Sequence, residues 1–503
     1  MPDSSWVYRS EQLGNTSGSK AVRKPRRVST AVLSALGERE QWLKEMARTS
    51  PASRAQTIRD LEDLGSREET TQRDYVGRYP LELLQNAHDA CAAAGIKGTV
   101  HFEVSHTALL VANSGRPFDA PRIRSLIRQG MSEKADRRHK RTIGYKGVGF
   151  SSVFEISRTP QIICSNEVAF GFDRARAKAQ VVEYLKPRKP PRTVAARNFP
   201  FLLEPDAWAD DAALVEDLLR DGFVTIVRLP LRRGHSAAEV YNQIADQFVP
   251  ETMVFLPSVD CLRCRHGGEA FGWSAKSGSR VGAGKVLHID SHDGNRVSWL
   301  VHTGKTPVDG AAIDALEDPA WRNVGELRLT VGLPWSDRRI NPDSPDEPIH
   351  VYFPTSERTG RSCLIHGDFY VDSRRSQIIN QGPAAAINRC ASGEAVRLIA
   401  ELAESLVVKH AKQVFAALAV TGTPSQFGKV LNEEIIEALQ SARIGQPADG
   451  AAPRKIGDLS FITNNQDAEL DERLMPVMSK RDDLLHVGDY RHGRALKLVE
   501  ELG

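Results

Sequence analysis

Glu82-Leu83-Leu84-Gln85-Asn86-Ala87-His88-Asp89-Ala90 is the stretch that decides how this chain is read. At about 100° per residue, a helix over it brings Glu82, Asn86 and Asp89 within roughly 60° of one another. Leu83, Leu84, Ala87, Ala90, Cys91 and Ala94 fill the other side. The spacing therefore presents a carboxylate, an amide and a second carboxylate on one stripe. Those groups can serve as base, divalent-metal ligand and hydrogen-bond acceptor, which is what hydrolysis of a nucleotide phosphate needs. An amphipathic helix whose polar face simply meets water gives the same pattern, so the choice rests on what comes after it.

Two more stretches lie downstream. Val111-Ala112-Asn113-Ser114-Gly115-Arg116-Pro117-Phe118 ends a strand-like run in an Asn-x-Gly turn. Ile143-Gly144-Tyr145-Lys146-Gly147-Val148-Gly149-Phe150-Ser151-Ser152-Val153-Phe154 places glycines at 144, 147 and 149 where an apolar helix is expected to open. Glycine lets the backbone approach a phosphate, and the start of a helix offers unpaired N–H groups and a positive dipole end. A glycine loop alone is weak evidence. An acidic helix, a strand, an Asn-x-Gly turn and a glycine loop in that order say more.

This order resembles the GHKL ATPase superfamily, which includes gyrase, MutL, histidine kinases and the large heat-shock chaperone. Glu82 to Ala90 is similar to its first box, Asn113 to Gly115 to its second and Gly144 to Phe150 to its third. The flavour is that of the sacsin and NO VEIN type of ATP-binding domain, whose boxes read much like ELLQNAHDA, NSGRPF and GYKGVGFSSVF. The resemblance implies ATP and magnesium as cofactors. It makes Glu82 the general base that polarises water, Asn86 the magnesium ligand and Asp89 a support of the nucleotide pocket. Gly144, Lys146, Gly147, Val148, Gly149 and Phe150 would cradle phosphates. The implied fold is α+β: a Bergerat-type ATP-binding α/β sandwich, then an α/β transducer-like domain and a helical C-terminal region.

The second box departs from the superfamily pattern. Most members carry Asp where this chain has Asn113, and that carboxylate accepts the adenine amino proton. Asn113 keeps an acceptor oxygen and adds a donor, which points to weaker adenine recognition or, as the alternative, a pseudo-ATPase. Pro117 stands where many members have a second glycine and stiffens the turn. Phe223 to Leu231 resembles the strand that closes the pocket, with Thr225 at the usual threonine and Val224 in place of the usual glycine. Gly130 to Thr142 is dense in Lys and Arg without periodicity, similar to the superfamily's lid, and makes Ser132, Lys134 and Lys146 candidate phosphate contacts.

Composition frames these motifs. A chain of 503 residues with 41% hydrophobic residues has material for two to four domains. No run is long enough to span a membrane and no apolar signal core opens the chain, so the expectation is a cytoplasmic protein. Net charge of +3 does not advertise nucleic-acid binding. Locally, Lys20, Arg23, Lys24, Arg26 and Arg27 form a basic tail and Lys186 to Arg192 a basic loop, either of which can track phosphates. Cys261-Leu262-Arg263-Cys264-Arg265-His266 has ligand-like spacing, but buried reduced cysteines are the better reading of the six cysteines.

The organisation expected is a flexible tail over 1–30, helices over 31–66, the ATP-binding domain over 67–232, a transducer-like domain over 233–382, helices over 383–445 and a linker with a small appendage over 446–503. Helices are expected to cover one face of a largely antiparallel sheet in the ATP-binding domain. In the transducer-like domain, Asp372-Ser373-Arg374-Arg375 resembles the loop that carries a basic residue to the γ-phosphate in GHKL chaperones. Arg374 is the first candidate and Arg375 the reserve, because a guanidinium keeps its charge and matches phosphate oxygens. Arg78, one turn before Glu82, is placed to pair with it. The function implied is an ATP-hydrolysing conformational switch, chaperone-like or part of a DNA-associated or defence machine, with dimerisation on ATP binding and an unidentified protein partner. The alternative is a nucleotide-gated scaffold that binds ATP without hydrolysing it.

Overall fold

The run Ala108–Asn113 is apolar at every position but the last, and it becomes a strand buried along its whole length. Its side chains alternate between two cores. Leu109 and Val111 join a large cluster with Leu83, Leu84, Ala87, Phe102 and Phe170. Ala108, Leu110 and Ala112 join a smaller one with Ile163, Val215, Leu218 and Ile226. The helix Ala212–Arg220, with Val215 and Leu218 buried, therefore covers the face opposite the helix Tyr79–Ala94. Apolar residues at both parities of this strand need cover on both sides, which corrects the expectation of helices on one face only.

The computed structural model describes residues 29–74, 76–128, 149–316, 318, 321–322, 324–372, 375–461, 480–485 and 493–502. It is a mixed α+β structure built on one large sheet of 15 strands. From one edge the order runs Phe353–Arg358, Pro348–Val351, Leu364–Gly367, Glu326–Ser336, Arg296–Pro307, Gly284–Ser291, Glu269–Val281 and Val259–His266. It continues through Gly98–Val104, Ala108–Asn113, Thr225–Pro230, Gln161–Cys164, Ala169–Phe172 and Pro200–Leu202. Arg339–Ile340 hangs off this path beside Glu326–Ser336. Most neighbours are antiparallel. The parallel pair Gly98–Val104 with Val259–His266 joins the sheet of the first region to that of the second.

The junction is reinforced by side chains. Phe255, in the 3-10 helix Pro250–Phe255, stacks on His366 with ring centres 4.5 Å apart and on His350 at 4.6 Å. Burial depresses both histidines to a pKa of about 3, helped by Arg358 beside His350 and by His350 beside His366. Both are therefore neutral, as rings packed face to face without counter-ions must be.

In front of the sheet the helices Thr30–Ala47 and Pro51–Asp74 cover the first region, and the second of them runs through residue 67. Behind the second region runs the helix Gly382–Leu418, which breaks helical geometry at His410 and buries Leu398, Leu402, Leu406 and Val414. The helices Gln426–Ser441 and Arg494–Leu502 pack into the same core through Leu431, Ile435 and Leu498. One expectation fails locally: the segment after the glycine loop is a 3-10 helix of 7 residues, Gly149–Glu155, in place of a longer apolar helix. Ser157 N–H still bonds back to the Val153 carbonyl at 3.1 Å, and the chain then enters the strand Gln161–Cys164.

The basic loop 186–192 is tied down at its far end, while Lys186, Arg188 and Lys189 are exposed. Arg192 donates its backbone N–H to Glu62 Oε1 at 3.0 Å and its guanidinium to Ser66 Oγ at 3.3 Å. All six cysteines are free thiols, and no group of three or more metal-ligating side chains occurs among the described residues. No helix of the described residues is long and apolar enough to cross a membrane.

Candidate functional site

The helix Tyr79–Ala94 starts and stops on local signals. Pro80 sits in its first turn, where a missing N–H costs nothing, and Gly95 closes it in the left-handed conformation at φ +70°. The chain entering it is clamped: Gly77, at φ +80°, donates its N–H to Glu155 Oε2 at 2.7 Å. Its carbonyl accepts from Gln243 and Gln247 at 3.3 Å and 2.6 Å. Tyr79 adds a hydrogen bond from its hydroxyl to Gln243 Oε1 at 2.9 Å. The chain that leads into the Glu82 helix is thus held by Glu155, Gln243 and Gln247.

The next contact sets the turn against this helix. A side chain at Gly115 would bring its Cβ within 2.5 Å of the Ala90 carbonyl carbon, so only glycine lets the turn lie this close. Arg116 N–H then reaches the Ala90 carbonyl at 3.2 Å. Asn113 folds the turn by accepting Gly115 N–H on Oδ1 at 3.1 Å, an Asx turn. Asn113 lies opposite Thr225 in the sheet, and Thr225 Oγ1 sits 3.9 Å from Cys164 Sγ.

Between helix, turn and sheet lies a cavity of about 230 Å³. Glu82, Asn86, Asp89, Asn113, Phe150, Thr225 and Arg375 line it, with Arg116, Phe118 and Arg122. Glu82 is only 4% exposed, so the polar stripe does not simply meet water. Ala94, expected to pack, is exposed, while Ala90 lines the cavity. Gly115 supports the floor without lining it. Gly144, Lys146, Gly147 and Val148, the lid residues Ser132 and Lys134, and Arg374 lie outside the described residues. Of the third box, Gly149 and Phe150 are described, and Phe150 packs edge-on against Phe172 with ring centres 5.7 Å apart.

The reach across from the second region is made by Arg375. It is buried, donates from Nη1 to Gln85 Oε1 at 2.9 Å, and places the same nitrogen 3.7 Å from Glu82 Oε1. Its φ of +53° is unusual for a residue with a Cβ. The turn that enforces it is tightly wired. Arg375 N–H donates to the Asp372 carbonyl at 3.0 Å, and the Asp372 carboxylate accepts Ser376 N–H at 2.6 Å, Ser376 Oγ at 3.0 Å and Gln377 N–H at 3.0 Å. Burial raises the Asp372 pKa, but these hydrogen bonds outweigh it and hold the carboxyl below its ordinary value. Arg78, expected beside Glu82, contributes its charge to Asp372 instead, and the ion pair recorded for Glu82 is with Arg375.

Gln85, Arg116 and Arg122 are the site residues that sequence reasoning gave no role. Gln85 is fully buried and its Nε2 has no hydrogen-bond partner. Its position three residues after Glu82 was the available signal. Arg116 pairs with Asp119 at 3.0 Å, and Arg122 donates to the Arg116 carbonyl at 2.9 Å. Burial, then the Arg116 charge, lower the Arg122 pKa from its ordinary value. The cavity mouth therefore carries two guanidiniums next to the carboxylate of Asp89, whose Oδ1 sits 3.4 Å from His88 Nδ1.

No family model matches the chain. Over 308 residues it is 26% identical to Protein NO VEIN of Arabidopsis thaliana, a match that covers 60% of this chain. The matched part is 10% of that relative's length, so this similarity concerns a small portion of a much longer protein.

Proposed function

We propose that this chain is an ATP-dependent conformational switch of the GHKL type, with a Bergerat-type ATP-binding fold in its first region and a transducer-like second region. The observation that supports this best is the single cavity lined by Glu82, Asn86, Asp89, Asn113, Thr225 and Arg375. Residues from four separate stretches of sequence, each singled out by the resemblance, line it together. The similarity to a part of Protein NO VEIN agrees with the flavour of the three boxes.

The donor set suits magnesium held with a nucleotide rather than a resident ion. No cluster of three or more metal-ligating side chains exists among the described residues, and magnesium in such sites takes one or two protein oxygens plus phosphate oxygens. Asn86, exposed at the cavity, would supply that protein oxygen. When bound, the ion would neutralise charge on the phosphates.

The chain's own residues do the rest. Glu82 orients and deprotonates the attacking water, on a helix whose entry is clamped at Gly77 and Tyr79. Arg375, the reserve candidate, takes the part expected of Arg374. Its guanidinium rests on Gln85 and Glu82. A phosphate is the stronger, bidentate partner for a guanidinium, so nucleotide draws Arg375 off the base and the turn Asp372–Gln377 follows. Movement of that turn carries the state of the site into the second region. Asn113 has its oxygen committed to Gly115, so adenine meets mainly its amide donor.

Phosphate release by the wild-type chain, compared with Glu82→Ala, tests the reading. Hydrolysis that vanishes in the variant while ATP still binds is the expected result. Equal release from both, with ATP bound, makes the chain a nucleotide-gated scaffold; no ATP binding at all removes the proposal.

A further inference from the structure

A second cavity, of about 950 Å³, opens on the other side of the junction and shares no lining residue with the Glu82 site. Its walls are the strands Glu269–Val281, Gly284–Ser291 and Arg296–Pro307, the turn after Glu326–Ser336, and the helix Gly382–Leu418 where it breaks at His410. Arg280, Arg296, Arg338 and Lys409 line it, with His288 and His410, against one carboxylate, Asp337. All four cations are exposed.

Three features make this more than scattered surface charge. Arg280, Arg338 and Lys409 have no ion-pair partner among the described residues, whereas Arg296 is held by Asp290. The backbone presents the cations: Asp337 and Arg338 turn through φ of +48° and +63°, and the helix leaves helical geometry at His410, next to Lys409. Hydroxyls lie among them, with Ser298 Oγ 2.9 Å from His288 Nδ1 and Ser405 Oγ accepting Ala283 N–H at 2.9 Å.

The length of the row selects the ligand. Arg296 pairs in register with Asp290, and Arg280 pairs with Lys285, five residues along the same strand. At about 3.3 Å per residue the row extends roughly 17 Å. A nucleic-acid strand, with one phosphate per about 3.4 Å of duplex axis and wider spacing when single and extended, places several phosphates over that distance. A single phosphate group, as on a phosphopeptide, engages only one end of it.

We propose that this groove binds the sugar-phosphate backbone of nucleic acid, without regard to base sequence. The site is separate from the basic tail and from the loop 186–192, the latter tied at Arg192 to Glu62 and Ser66.

Fluorescence anisotropy of the full chain with a labelled single strand of about 20 nucleotides, at about 50 mM and about 200 mM salt, tests it. The triple variant Arg280→Glu/Arg338→Glu/Lys409→Glu changes only exposed residues and should lose at least tenfold in affinity. Its logarithmic salt slope should fall by about 2, since each phosphate contact contributes about 0.7. Loop variants Lys186→Glu/Lys189→Glu should bind as wild type, and ATP affinity should be the same throughout. Lys409→Glu alone should lower the slope by about 0.7, which keeps the test open if the triple variant folds poorly. Triple-variant binding within twofold of wild type overturns the assignment. So does the absence of wild-type binding at the lower salt, and so does groove-dependent binding of a phosphoserine peptide more tightly than the oligonucleotide.

Discussion

The two cavities manage charge in opposite ways. Around Glu82 the charges are buried, few and mutually engaged: a carboxylate 4% exposed faces a guanidinium 7% exposed, with Gln85 wedged beside them. In the groove the charges are exposed, numerous and mostly positive. A buried pair costs desolvation and gains geometric precision, because the fold fixes both groups against each other and against Gln85. An exposed row pays little and gains a field that reaches a polyanion through water but fades with salt. Chemistry on one phosphate needs the first arrangement; holding a long chain of phosphates needs the second.

The largest effect that would break this contrast is loss of the buried partner. Arg375→Met strands Glu82 and Gln85 in the cavity wall and should lower stability by about 3 kcal/mol, read as a fall in the denaturant midpoint with the slope unchanged. If Arg375→Met unfolds at the wild-type midpoint, the pair is no more than a surface contact. Next comes Glu82→Ala, for which phosphate release should drop at least 100-fold, the lower range for removing a general base, with ATP affinity within threefold of wild type by calorimetry.

The junction offers a test of whether the two regions stand or fall together. His350 and His366 have folded pKa values of about 3 against an ordinary 6.5. Groups depressed in this direction give full stability above 6.5 and lose it as pH falls toward 3, so by pH 5 the pair should cost roughly 4 kcal/mol. Glu347 works the other way. Burial, then the charge of Glu251, raise it to about 7 from 4.5, so its contribution is complete below 4.5 and lost as pH rises through 7. Thermal melts from pH 7 to pH 5 should show one transition moving down, and His366→Phe should flatten that dependence by about half. Two separating transitions would mean that the shared sheet does not couple the regions.

The smallest effect concerns the pocket turn. With Asn113 Oδ1 taken by Gly115 N–H, Asn113→Asp would put a free acceptor where the amide N–H₂ now lies. ATP affinity should rise about fivefold, close to 1 kcal/mol for one added hydrogen bond, with GTP affinity unchanged. A parallel gain for GTP would show that the residue does not face the base.

How much of this could be read beforehand differs from element to element. The Tyr79–Ala94 helix was legible because its period, its opening proline and its closing glycine agree. The closing strand was legible from its alternation, and it forms as Thr225–Pro230. The long apolar spacing from Val396 to Val407 marked the rear helix. The helix expected after the glycine loop was not sound: a 3-10 helix of 7 residues forms there. The choice between Arg374 and Arg375 could not be made from spacing. The reach of Arg375 to Gln85 and Glu82 depends on a left-handed residue enforced by hydrogen bonds to Asp372, and Arg374 lies outside the described residues.

The sequence by itself determined which face of the first helix is polar, where the turn and pocket strand fall, and that the chain is mixed α+β, because these follow from periodicity and from the few residues that tolerate tight turns. Only the tertiary structure decided that Glu82 is buried rather than wet, that Gln85 and Arg375 are its neighbours, and that Arg280, Arg338 and Lys409 share one groove. Those facts rest on contacts between residues as much as 290 positions apart. Local spacing carries no information about such contacts, since they exist only once a continuous sheet has brought the two regions edge to edge.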